Sequence, residues 1–266
     1  SKKLKIMLHH EISGNGKKPL VLLHGFMENT TIWDEMEAHL SKDFTLIKID
    51  LPGHGKSKVY QEIHTVELMA EKVKEVIDAL KLEKINLLGH SLGGYVSLAF
   101  AEKFPEILES MTLFFSTTVA DDEEKKQIRR RSIAVIDENF ETFVKTSIPN
   151  LFSNNEKDIL EGKIELAKNI AKSTNKEGVK AAQLGMAERP DRTEILENLD
   201  AKILIIAGKY DNAVKTENLL KIIPEKTNIK TYVLDCGHNG HWEKPTICAE
   251  IINTELLHNL PKHFLL

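Results

Sequence analysis

The sequence predicts an α/β fold: a mostly parallel central sheet flanked by helices, with a helical cap inserted between two strands. Three observations carry this. Short, strand-like runs dominated by apolar residues at 19–23, 44–49, 85–88 and 111–115 alternate with segments of helical periodicity, the order a parallel sheet with crossover helices requires. The run Pro19–Leu23 is apolar throughout rather than alternating, as strands covered on both faces are. From about residue 116 the chain turns charged and helical, rich in Lys and Glu with no strand-like run, and apolar runs return at Ala201–Ala207. The division expected is 1–115 for the first part of the core, 116–198 for the cap and 199–266 for the second part of the core.

Each element has a local reason. Leu4 to Ile12 alternates loosely and predicts an edge hairpin with the next run, turning at Gly14-Asn15-Gly16. Pro19–Leu23 is a buried strand ending in His24-Gly25-Phe26-Met27. Asn29 or Thr30 then caps a helix with Ile32, Trp33, Met36 and Leu40 on one face. Phe44–Ile49 is a strand that ends in the turn-rich Asp50–Ser57. Thr65 caps an amphipathic helix carrying Leu68, Met69, Val73, Val76, Ile77 and Leu80. Ile85–Leu88 is a strand that breaks at Gly89, a helix runs over Tyr95–Phe104, and Met111–Phe115 is the next strand. In the cap, Asp121–Glu124 suits the first turn of a helix, where carboxylates complement the dipole. Ala201–Ala207 resumes the sheet, a short helix follows near Thr216–Ile223, Ile229–Leu234 is the last strand, and a helix over Ile247–Leu257 closes the chain.

Composition narrows the function classes. With 266 residues the chain can bury a large core, and a net charge of −4 gives no reason to expect nucleic acid or an anionic membrane as partner. No apolar run approaches the roughly 20 residues that span a bilayer. The basic start, Ser1 to Ile6, lacks the apolar core of a signal peptide, so the expected location is the cytoplasm. Cys236 and Cys248 are too few and isolated for a metal site or disulfide framework, and both are read as reduced.

The chemistry concentrates at Gly89-His90-Ser91-Leu92-Gly93, a Gly-x-Ser-x-Gly between a strand and a helix. A serine on such a sharp turn needs flanking positions nearly free of side chain. The turn projects the hydroxyl from the strand's C-terminal edge and aims the following amides at a developing negative charge. His24, Asp50 and Ser91 all follow strand ends, where such sheets bind ligands. Asp211 and His238 follow two later strands, giving the order nucleophile, acid, base.

These pieces together resemble the α/β-hydrolase family, in its serine-nucleophile branch, over nearly the whole chain. The matching stretches are His24-Gly25-Phe26, Asp50-Leu51-Pro52-Gly53-His54-Gly55-Lys56-Ser57, Gly89–Gly94, Gly208-Lys209-Tyr210-Asp211, and Gly237-His238 followed by Glu243-Lys244-Pro245. The resemblance implies Ser91 as nucleophile, His238 as base and then acid, Asp211 as the group orienting the imidazole, and the backbone amides of Phe26 and Leu92 as oxyanion hole. His241 competes with His238, but the Gly-His pair and the five-residue step to Glu243 favour His238. Asp235 competes with Asp211, which follows the earlier strand, where the family places the acid. No cofactor and no metal are expected.

A serine nucleophile points to acyl transfer: esters, lactones, thioesters or C–C bonds. The cap and Gly185–Asp191 resemble small carboxylesterases and enol-lactonase-like members. The expected reaction is cleavage of a small-molecule carboxylic ester or lactone through an acyl-enzyme. The alternatives are a C–C hydrolase or enol-lactonase for an acidic metabolite, and, in a different class, a ligand receptor on the same fold without turnover. The expected pocket draws on His24, Met27, His90, Arg189, His241 and Trp242. Arg129, Arg130, Arg131 or Arg189 could hold a substrate carboxylate if one faces inward.

Overall fold

Where both faces of a strand are apolar, helices must cover both faces, and the computed structural model, which describes residues 7–257, shows that arrangement. The elements in order are β1 (His10–Ser13), β2 (Lys18–Leu23), α1 (Asp34–Glu37), β3 (Phe44–Ile49), α2 (Val66–Ala79), β4 (Ile85–His90), α3 (Leu92–Lys103) and β5 (Leu108–Phe114). Five helices follow without a strand: α4 (Glu123–Glu138), α5 (Phe140–Ser147), α6 (Glu161–Ser173), α7 (Lys176–Glu188) and α8 (Glu194–Asn198). Then come β6 (Lys202–Gly208), α9 (Thr216–Ile222), β7 (Ile229–Leu234), α10 (Gly240–Glu243) and α11 (Pro245–Leu257).

The sheet order is β1-β3-β2-β4-β5-β6-β7, parallel except for β1. From β2 the chain steps to β3 on one side and then to β4 on the other, so the order reverses at β2. Crevices at such switch points, outside the carboxyl ends of the strands, are where sheets of this type bind ligands. The β2 and β4 ends carry the His24 and Ser91 turns.

Two apolar clusters lie on opposite sheet faces. One gathers Val21, Ile47, Leu87 and Leu113 with Met69, Val73 and Ile77 of α2 and Val96 and Phe100 of α3. The other gathers Leu22, Leu88, Phe114 and Ile206 with Trp33 and Ile252, and extends into the helices between β5 and β6 through Val144, Phe152 and Val179.

Three local expectations are corrected. The edge strand does not form a hairpin with β2: β1 pairs antiparallel with β3, with His10 opposite Ile49, and the part of that prediction falling on residues 4–6 lies outside the described residues. The strand before Ser91 does not break at Gly89 but runs to His90, paired with Phe114. The helix predicted after Asn29 is divided: Asn29 Oδ1 accepts from the Thr31 amide and starts a 3-10 turn at Thr30–Trp33, which passes into the short α1. Thr65, in contrast, caps α2 through the Leu68 amide. Among the described residues no helix is long and apolar enough to cross a membrane.

Candidate active site

The Ser91 turn is set by close packing. Ser91 sits at φ 51°, ψ −108°, in the left-handed region that only strong local constraint holds for a side-chain-bearing residue. A Cβ at Gly89 would overlap the Gly93 carbonyl, and one at Gly93 would overlap the Leu23 carbonyl, so both positions exclude any other residue. The Ser91 amide donates to the Phe114 carbonyl, and Ser116 Oγ donates to the Ser91 carbonyl at 2.8 Å. These bonds fix the turn against the β5 end.

Three strand ends converge there. His238 Nε2 lies 2.8 Å from Ser91 Oγ, and His238 Nδ1 lies 2.8 Å from Asp211 Oδ2. A carboxylate only accepts, so Nδ1 carries the proton, and Nε2 is left to accept from the serine hydroxyl. Asp211 Oδ1 accepts from the Ala213 and Val214 amides at 2.8 and 2.9 Å, which orients the carboxylate towards the imidazole. Asp235 is exposed and takes no part in this chain. Glu243 holds the histidine loop from below: its carboxylate accepts from the Gly237, Asn239 and Ser153 amides. Burial pushes the Glu243 pKa up, against the pull of those three amides.

The β2 loop is fixed by two buried histidines. Its turn needs φ 59° at Met27. His54 Nε2 accepts from the Met27 amide at 3.1 Å while its Nδ1 donates to the Pro52 carbonyl. His24 Nε2 accepts from the Leu51 amide at 2.9 Å while its Nδ1 donates to the Gly25 carbonyl. Burial pulls both pKa values down, to about 4 for His24 and about 3 for His54, so both are neutral. The resulting loop leaves the Phe26 and Leu92 amides without an acceptor among the described residues; Leu92 is the first residue of α3, whose early amides have no helical partner.

Behind His238 lies a polar network that nothing in the local sequence signals. Glu28 Oε1 accepts from the Gly25 amide at 2.7 Å and lies 2.5 Å from His90 Nδ1; Glu28 Oε2 lies 2.9 Å from His241 Nε2. His90 Nε2 in turn lies 3.0 Å from the His238 carbonyl oxygen. Both His90 nitrogens face acceptors, so both carry protons, and His90 is an imidazolium paired with Glu28. Burial alone would neutralise it, but the charge and hydrogen bond of Glu28 outweigh burial and raise its pKa. The Glu28 carboxyl, against its own burial, is held well below the usual range by His90 and His241. Burial lowers His241 to about 4, so it is neutral. These three residues bring possible ligand atoms within 4.8 Å of one another. Each close contact is already a proton-bridged hydrogen bond, so the set reads as a proton network rather than an open metal cradle.

A cavity of about 320 Å³ opens over Ser91 and His238. Met27, His90 and Trp242 line it, as does Phe26, with Phe143 and Ile148 of the helices between β5 and β6 on the opposite wall. Three expected pocket residues lie elsewhere. His24 is turned into the β2 loop that it braces, and His241 is turned away behind Glu28. Arg189 is buried at the base of α7, where it donates to Asp121 Oδ1 at 2.9 Å and to the Met186 and Val119 carbonyls, with its guanidinium 3.7 Å from the Tyr95 ring centre. Its donors tie together the two ends of the inserted segment, and its guanidinium packs on Tyr95 of α3 in the core. Of the arginines at 129–131, Arg129 lines the cavity, while Arg130 points outward to Glu123. Cys236 and Cys248 are buried free thiols, both with pKa values raised by burial.

A serine on a strand–turn–helix elbow at the switch point of a parallel sheet, met by a histidine and an aspartate from later strand ends, defines a class of protein by its geometry. The chain belongs to the alpha/beta hydrolase fold family, whose family model matches residues 18–245. A thermophilic esterase from Thermogutta terrifontis, solved with malate bound, superposes with a TM-score of 0.87 at 33% identity, covering 94% of this chain and 93% of that one. The enol-lactonase from Burkholderia xenovorans shares the fold, with a TM-score of 0.85 at 21% identity over 94% of this chain and 96% of its own. Among curated sequences, the 2-hydroxy-6-oxononadienedioate/2-hydroxy-6-oxononatrienedioate hydrolase of Escherichia coli is 26% identical over 257 residues, 90% of this chain and 86% of that protein. The first curated relatives it matches, uncharacterized mycobacterial proteins 34% identical over 111 residues, are longer, and the match spans 32% of their length.

Proposed function

We propose that this protein is a serine hydrolase that cleaves carboxylic esters or lactones of small molecules, most simply a carboxylesterase, through an acyl-enzyme. The observation that carries the reading is the continuous chain Asp211–His238–Ser91, with two contacts of 2.8 Å, opening onto a largely apolar cavity beside two free amides. Ser91 Oγ attacks the carbonyl carbon as its proton passes to His238 Nε2, and Asp211 stabilises the imidazolium that forms. The oxyanion falls to the Phe26 and Leu92 amides; one such donor is typically worth about 3 kcal/mol in the transition state. Collapse expels the alcohol, which takes the proton back from His238. Water, deprotonated by the same histidine, then releases the acid. The reaction balances without a cofactor.

The experiment is hydrolysis of p-nitrophenyl acetate, butyrate and octanoate by wild type and Ser91→Ala, with fluorophosphonate labelling of both. Turnover and labelling by wild type alone support the reading, and the chain-length profile sizes the cavity. Labelling of Ser91 without turnover of any ester or lactone would instead favour the receptor reading. A second chemistry, C–C bond hydrolysis, is favoured by the Escherichia coli relative, whose name specifies an oxo-dienedioate. A dioate of that type assayed beside the esters separates the two.

A further inference from the structure

The helix that closes the cavity presents one face to it, and that face is cationic. Lys125, Ile128, Arg129 and Ser132 of α4 fall at helical spacing i, i+3, i+4 and i+7, and all four line the cavity. Acidic residues of the same helix, Glu123 and Glu124, are exposed and line no part of it. Among the described residues the only carboxylate in the lining is Glu28, whose oxygens are taken up by Gly25, His90 and His241.

The charges at this end do not cancel. Asp121 is a buried carboxylate shared by two arginines: Arg129 through Nε and Arg189 through Nη1. One negative charge therefore faces two fixed positive ones. Lys125 adds a third positive charge, and among the described residues no carboxylate lies within ion-pair distance of it. Its one partner is the Ala213 carbonyl at 3.3 Å. Arg129 is held in place by a relay: its Nη1 donates to Gln183 Oε1 at 2.9 Å, and Gln183 Nε2 donates to Ser132 Oγ at 2.9 Å. Of its five N–H donors, two are engaged with named partners, so others remain for a ligand. An uncancelled positive charge on a cavity wall attracts an anion to that end of the cavity.

We propose that Lys125 and Arg129 form a carboxylate-binding subsite, so that the substrate is an ester or lactone carrying a second, ionised carboxyl group. The acid group meets the α4 face while the scissile carbonyl meets Ser91. The inference rests on the hydrolase reading of the Ser91 centre, and it transfers the role of acid recognition from Arg189, which lies outside the cavity lining and donates to Asp121 and two carbonyls, to the α4 face.

The test compares matched ester pairs in wild type, Lys125→Met, Lys125→Arg and Arg130→Met. p-Nitrophenyl hydrogen glutarate against p-nitrophenyl pentanoate places the acid on the acyl side. 4-Acetoxybenzoate against phenyl acetate places it on the alcohol side. The expected result is a preference for the acidic member of one pair that falls by about 10- to 100-fold in kcat/KM in Lys125→Met, mainly through KM. Lys125→Arg restores part of it, and Arg130→Met, one residue beyond Arg129 but facing outward, retains it. The pair that responds tells which half of the substrate carries the acid. A preference unchanged by Lys125→Met in both pairs overturns the proposal. Calorimetric titration of the same proteins with glutarate reads the subsite without turnover. If wild type cleaves no ester, loss of glutarate binding in Lys125→Met still supports the subsite and places the failure in the hydrolase reading. Glutarate binding that is absent in wild type, or indifferent to Lys125, sinks it.

Discussion

At the scale of single residues, Glu28 joins three loops that the chain keeps far apart. One carboxylate accepts from Gly25 of the β2 loop, from His90 of the Ser91 elbow and from His241 after the last strand, while His90 reaches on to the His238 carbonyl. The proposed oxyanion donor Phe26, the proposed nucleophile Ser91 and the proposed base His238 thus hang on one buried anion. Glu28→Gln keeps the shape but offers one acceptor oxygen for three donors and removes the counter-charge of the His90 imidazolium. Breaking a buried pair by neutralising one partner typically costs about 3–5 kcal/mol. The variant is expected to lose stability on that order in urea denaturation and to lower kcat on p-nitrophenyl butyrate by about tenfold with KM little changed, because the loss is in alignment rather than in binding. Unchanged kcat would show that the elbow holds its geometry without the network.

At the scale of elements, α7 explains how the inserted helices are seated. Gly178 and Gly185, two turns apart on one face, meet the backbone of Gly53 and His64, and the His64 amide donates to the Ala181 carbonyl between them. Helix and loop touch backbone to backbone, and a Cβ at Gly185 would overlap the His64 carbonyl. Gly185→Val should therefore lower stability by about 1–3 kcal/mol by overpacking. Gly162→Ala is the converse case: it lies exposed in the first turn of α6, where an added Cβ meets nothing within 4 Å, and it should gain up to about 0.5 kcal/mol, less than the helix-interior value, from helix propensity alone. Urea midpoints of the two variants should move in opposite directions. The strands were legible from sequence because short, mostly apolar runs end in turn-rich loops; the bounds Phe44–Ile49 and Ile229–Leu234 match residue for residue, although the second is a half-exposed edge strand carrying Lys230 and Thr231. The partner of β1 was not, since an edge strand's pairing is decided by what lies beside it in space. Ser91, Asp211 and His238 stood out because each ends a strand in a turn with its own local residue demands. Glu28 did not, because its histidine partners lie 62 and 213 residues away.

At the scale of the whole molecule, the buried histidines make acid the condition to which this fold is most sensitive. His24, His54 and His64 each use Nε2 to accept a backbone N–H, from Leu51, Met27 and Tyr60, so protonation would set donor against donor. Burial first, with neighbouring imidazoles adding to it, lowers these values from 6.5 to about 4, 3 and 4, and His241 to about 4. For a base whose folded pKa lies below its unfolded value, the unfolded chain binds the extra proton. Stability therefore falls as pH drops from 6.5 towards 4. At pH 5 each fully buried, neutral histidine costs about 2 kcal/mol relative to pH 7. His90 cannot offset this: its folded pKa is raised, so its contribution is already complete below 6.5 and is lost only on the alkaline side. The depressed carboxylates, Glu28, Asp121 and Glu255, contribute above their unfolded values near 4, and their contributions decline only below the window. With four such histidines against a typical domain stability of about 5–15 kcal/mol, the urea midpoint at pH 5 should fall well below that at pH 7. His54 braces the loop that carries Phe26, so the proposed ester hydrolysis, read with p-nitrophenyl butyrate, should disappear over the same range of urea. Equal midpoints at the two pH values would mean that these imidazoles are solvated or already charged in the folded protein, and the neutral, acceptor-bearing frame of the β2 loop would have to be abandoned.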